Sequence, residues 1–185
     1  MMRKRLLPRG GKCGVSAALL LAQMLTVTPA KAVDNVRFYG ALVAEPCVIA
    51  PGAEDIQLDF GTIIDRYLYL NTRTPGQAFE IRLMDCDLSV GTLVTVTFTG
   101  TENAALPGLL AIDGSGGARG IAIGLETPDS TPLPINQAGG KIPLVSGRNV
   151  IALKAYVRGE PEAIRNQSIA FGTFGSTATF KLEYE

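Results

Sequence analysis

Short runs in which apolar side chains recur at every second position dominate this chain, at Phe79 to Leu83, Leu93 to Phe98, Ile121 to Leu125, Val150 to Val157 and Ala178 to Tyr184. A period of two puts alternate side chains on opposite faces of a strand, so each run can bury one face against a core. Turn signals stand between the runs, at Pro75-Gly76, Pro107-Gly108, Gly114 to Gly117, Pro128-Asp129, Gly139-Gly140 and Gly147-Arg148-Asn149. One helical turn is expected at Pro161 to Arg165, where proline suits the first helical position. The sequence holds no internal repeat. The expected fold is therefore all-β, a β-sandwich of immunoglobulin type.

The first 32 residues are of a different kind. Arg3, Lys4, Arg5, Arg9 and Lys12 precede an apolar run from Val15 to Val27, and Ala30-Lys31-Ala32 closes it with small residues. This is the pattern of a secretory signal peptide cut after Ala32. Cys13 precedes the apolar run and so does not read as a lipid-anchor cysteine. The apolar run falls short of the roughly 20 residues a spanning helix needs, so no membrane insertion is expected. Six of the 17 basic residues leave with the leader and none of the 17 acidic ones, so the remaining 153 residues carry 11 basic against 17 acidic side chains, a net charge of −6. An acidic chain without a basic cluster does not suit nucleic acid.

An exported chain meets an oxidising compartment. Cys47 and Cys86, with 38 residues between them, are expected to form a disulfide, worth roughly 4 kcal/mol in the loop-entropy model. Enzymatic chemistry finds little footing: the chain has no histidine to serve as a general base, and no nucleophile motif surrounds its serines. Asp85 and Asp87 flank Cys86 as a solvated turn would, and no metal site or other cofactor is expected. Gly114, Gly116, Gly117 and Gly120 lack the Lys-Ser/Thr ending of a phosphate loop. Asn166-Gln167-Ser168 fits a glycosylation sequon, a pattern too short to carry weight.

The segment after the leader alternates too. Val36, Phe38, Gly40 and Leu42 fall on one face, with Asn35, Arg37, Tyr39 and Ala41 on the other. Lying ahead of Cys47, it fits two readings: an edge strand of its own sandwich, or a strand donated to another molecule. Pattern alone does not choose between them.

Several of these features, in this order, resemble the subunits of chaperone-usher pili. They are a glycine within an alternating N-terminal arm (Gly40), Pro46-Cys47 soon after, the stretch Phe79 to Cys86, a glycine fourteen residues from the C-terminus (Gly172), and a penultimate tyrosine, Tyr184. The stretches Thr95 to Gly108, Pro161 to Arg165 and Ala178 to Tyr184 are most similar to the minor tip and adaptor subunits of P pili. The resemblance covers essentially the whole chain after the leader.

That resemblance implies an incomplete immunoglobulin-like sandwich, the pilin fold lacking its last strand, whose open groove is filled by a strand from another molecule. It implies three segments: a signal peptide at 1–32, an N-terminal extension or donor strand at 33–44, and a pilin domain at 45–185. Val36, Phe38, Gly40 and Leu42 would be donated. Gly172, Phe174, Ala178, Phe180, Leu182 and Tyr184, expected on one face of the last strand, would line the acceptor groove that the chaperone also binds. The implied partners are a periplasmic pilus chaperone, an outer-membrane usher, neighbouring subunits and, for a tip position, an adhesin. The implied role is that of a minor subunit or adaptor, exported through the periplasm to an extracellular fimbrium. The alternatives are a terminator or rod subunit, and, outside pili, a self-complete secreted carbohydrate-binding sandwich.

Overall fold

The computed structural model describes residues 37–42 and 44–185. The leader at 1–32 and the arm residue Val36 lie outside the described residues. The chain divides into two units between Ala41 and Leu42. Of the first, residues 37–41 belong to no helix or strand. The second is a two-layer β-sandwich.

Its strands are β1 (Val48–Ile49), β2 (Gln77–Cys86), β3 (Leu93–Thr99), β4 (Glu102–Asn103), β5 (Leu106–Ala111), β6 (Ile121–Glu126), β7 (Ala138–Pro143), β8 (Gly147–Gly159) and β9 (Thr179–Tyr184), with helices α1 (Asp65–Asn71) and α2 (Pro161–Arg165). One sheet runs β1-β2-β8-β6-β5-β4 and the other β7-β3-β9, with every pair antiparallel. The alternation seen in sequence becomes the core. Ile81 and Leu83 of β2, Ile151, Leu153 and Val157 of β8, Ile123 and Leu125 of β6, and Val94, Val96 and Phe98 of β3 are all buried. The Cys47–Cys86 disulfide forms, tying the chain ahead of β1 to the end of β2, and Asp87 N donates to Pro46 O at 2.8 Å beside it.

The five expected strand runs and the helical turn at Pro161–Arg165 are present, and three of the expected turns are not turns. Pro107-Gly108 lies within β5, where a register shift against β4 leaves room for a residue without an N–H. Gly139-Gly140 lies in β7 at a bulge against β3. Gly147 to Asn149 open β8, the turn falling just before them. Helix α1 was not expected; it buries only Leu68 and ends at Thr72 in a left-handed conformation. β6 is buried on both faces; on the outer one Tyr156 lies over Gly124, where a Cβ would sit 2.2 Å from the ring.

The four sheet edges differ. β1 and β4, at the ends of the larger sheet, are two residues each, too short to template another strand. β7 is bulged, and Leu144 N donating to Thr92 O sets an alternation that turns Lys141 and Pro143 outward. Pro143 has no N–H to offer, so that edge is blunted. β9 pairs with β3 over its whole length without a shift and has no partner on its other side.

Candidate functional site

Glu185 and Leu93 exchange backbone bonds, Glu185 N to Leu93 O and Leu93 N to Glu185 O, both at 3.0 Å. Antiparallel ladders alternate, so Thr179, Lys181 and Glu183 face β3 with their backbone groups, while Phe180, Leu182 and Tyr184 present theirs to the open edge. The side chains of Phe180, Leu182 and Tyr184 pack half-buried against the core.

Facing this edge is the segment 54–60, which bends at Glu54 and Asp55 and continues from Ile56 outside any helix or strand. Ile56, Leu58 and Phe60 are half-buried and Gln57 and Asp59 exposed, an alternation like that of a strand although the segment belongs to neither sheet. Between β9 and this segment runs an open groove of about 660 Å³. Phe79, Phe98, Leu110, Ile123 and Leu125 form its floor. Phe98 contacts Phe79 edge-on at 6.3 Å between ring centroids and Phe180 at 6.5 Å. The groove thus looks directly into the hydrophobic core, as an apolar slot beside an unpaired strand. Glu54, Asp55 and Gln57 stand on one lip and Ser176, Thr177 and Thr179 on the other, and among the described residues no Lys or Arg lines it. Burial, with the charge of Glu45 adding, pushes the Tyr184 phenol above its ordinary value.

Phe180 and Ala178 line the groove directly, and Leu182 and Tyr184 continue the same face of β9. Gly172 and Phe174 do not join them: both lie outside β9, which begins at Thr179, and neither lines the groove. Bridges from Arg119 to Ala170 and from Gly117 to Thr173 hold the preceding chain away from β3. Gly172, at φ 152°, lies so close to the 116–118 backbone that a Cβ would sit 2.2 Å from Gly116 O. Phe174 packs instead against Phe60, with ring centroids 6.2 Å apart. The arm residues Phe38 and Leu42 are 93% and 105% exposed, and a Cβ at Gly40 would meet no atom within 4 Å. Among the described residues, nothing calls for glycine at that position.

The lip residues Ile56, Leu58 and Phe60 were not among the expected site residues, although their period of two is present in the sequence. Nor was the pair Arg73 and Glu126 expected, joined at 2.9 Å beneath the turn that follows α1. Only tertiary proximity reveals that pair, its members being 53 residues apart.

A family model described as fimbrial protein matches residues 36–185. The chain is 38% identical over 175 residues to the fimbrial adapter PapK of Escherichia coli, covering 91% of this chain and 97% of that one. It is 33% identical over 151 residues to the fimbria A protein of Serratia marcescens, covering 82% and 84%. Among solved structures, the P pilus rod subunit PapA superposes with a TM-score of 0.66 at 23% identity, covering 76% of this chain and all of that one. At that identity the likeness shows the fold.

Proposed function

The chain belongs to the fimbrial protein family, and from that premise we propose that this subunit of a chaperone-usher pilus is joined to its neighbours by strand exchange through the groove beside β9. Its family is one of structural pilus subunits, which assemble with one another into extracellular fibres. The observation that carries the reading is that β9, the one long and regular sheet edge left unpaired among the described residues, borders a slot open to the core. Such a surface is an aggregation hazard in water, so a partner must cover it at every stage.

In the periplasm that partner is a chaperone, which adds a strand along Phe180, Leu182 and Tyr184 and is displaced at an outer-membrane usher. In the fibre it is the arm of the next subunit. The arm of this chain, with Val36, Phe38, Gly40 and Leu42 on one face, is donated in turn to the preceding subunit. Burying Phe38 and Leu42 contributes about 1.5–3 kcal/mol each, before the cost of ordering the arm. The likeness to an adapter of P pili supports a minor, linking position. The test is strand exchange between the subunit and a neighbouring subunit, each purified as its chaperone complex, followed by native mass spectrometry. Phe38→Asp should keep chaperone binding and lose insertion into the neighbour. Loss of chaperone binding in that variant, with insertion intact, would return the arm to this subunit's own sandwich.

A further inference from the structure

The two lips of the groove carry unequal charge. On the 54–60 side, Glu54, Asp55 and Asp59 are exposed carboxylates, and none of them takes part in an ion pair among the described residues. Glu54 accepts from Gly52 N, Asp55 from Gln57 Nε2 and Asp59 from Gly61 N. At the same end of the β9 side, Ser176, Thr177 and Thr179 are neutral, and Lys181 is held by Glu183 at 2.8 Å. A strand that lays alternate apolar residues into the slot turns its intervening residues to solvent, level with the outward Asp55 and Asp59. Cross-strand neighbours of opposite charge attract there and like charges repel.

We propose that this acidic lip selects the entering strand by charge. The occupant it fits is the arm of another pilus subunit that carries Arg or Lys on the face turned away from its apolar anchors, the pattern that Arg37 shows beside Phe38 in this chain. The proposal rests on the strand-acceptor reading above. It adds a sorting rule to it: the apolar slot supplies affinity for any alternating strand, and the lip ranks one such strand above another.

The experiment uses the full exported chain purified from the periplasm with its chaperone bound in the groove, and three peptides of residues 33–44 that displace it, with position 37 as Arg, Arg37→Gln or Arg37→Glu. Insertion rates are followed by native mass spectrometry. At low salt the Arg peptide should insert faster than the Glu peptide by roughly twofold to fivefold. The gap should close near 1 M salt, where screening acts over about 3 Å, and reverse in a chain carrying Asp55→Lys and Asp59→Lys. If that chain misfolds, Asp55→Asn with Asp59→Asn should flatten the preference. Equal rates for all three peptides, or a gap untouched by the lip changes, overturn charge selection and leave the acceptor reading standing. Failure of every peptide to insert removes the acceptor reading and this one with it.

Discussion

Arg73 grips Glu126 through paired 2.9 Å bonds from Nη1 and Nη2, while its guanidinium lies 3.7 Å above the Tyr156 ring. The carboxylate is 2% exposed and the arginine side chain 34%, so this pair sits under partial cover and not on an open surface. It fixes the turn after α1 to the outer face of β6 and β8. The segment between the groove lip and β2 is thereby held at its far end.

Arg73→Ala should destabilise the subunit by about 2–4 kcal/mol, since it strands a buried carboxylate without its partner. Glu126→Leu combined with Arg73→Leu should recover much of that loss, because no charge is then left buried. Urea unfolding of the two variants checks both. Equal stability of wild type and Arg73→Ala would mean that the pair contributes nothing.

Cys47→Ser should lower stability by about 4 kcal/mol in the loop-entropy model and reduce the yield of exported protein. The bridge is what fixes the chain ahead of β1 to the end of β2. Periplasmic yield and thermal midpoint are the measurements, and wild-type values for both would defeat the expectation.

Phe38→Asp and Leu58→Asp should separate the two halves of the assembly. Phe38 is almost wholly exposed, so its change should leave the melting temperature of the subunit unaltered and abolish donation. Leu58 is half-buried on the lip, so its change places a charge at the edge of an apolar slot, costing about 1–3 kcal/mol, and should weaken acceptance. Pull-down with a subunit on either side reads the two effects apart.

Tyr184 supplies a pH dependence. Its folded-state pKa is raised above the ordinary 10.0, first by burial and then by Glu45. The neutral phenol is favoured on folding, so this contribution is complete below pH 10 and is lost as the pH rises through the folded value. The thermal midpoint should therefore fall more steeply above pH 10 in wild type than in Tyr184→Phe. Parallel alkaline profiles would remove the effect.

What the sequence revealed follows from how local each signal is. The runs in β2, β3, β6, β8 and β9 were legible because burial of one face writes a period of two into consecutive residues. The glycine pairs misled because the same lack of a side chain that permits a turn also permits a bulge, and at Gly139-Gly140 the bulge prevailed. Helix α1 stayed hidden because a seven-residue helix that buries one side chain writes no helical period. Phe180 and Leu182 were readable as an inward face, whereas Ile56, Leu58 and Phe60 acquire meaning only once β9 is seen across the slot from them. Gly172 was placed on the final strand because its contact with Gly116 depends on a loop partner 56 positions away.

The blunted edge at β7 has a consequence for the form any polymer can take. A sheet sticky on both margins would grow sideways into ribbons and tangles, each molecule capturing several others. With Pro143 and the bulge at Gly139-Gly140 closing one margin, and two-residue strands at the ends of the larger sheet, β9 is the edge left open among the described residues, so strand exchange would give each molecule valence for one incoming strand. On the strand-exchange reading, growth is then confined to a single file, one molecule joined to the next along a line.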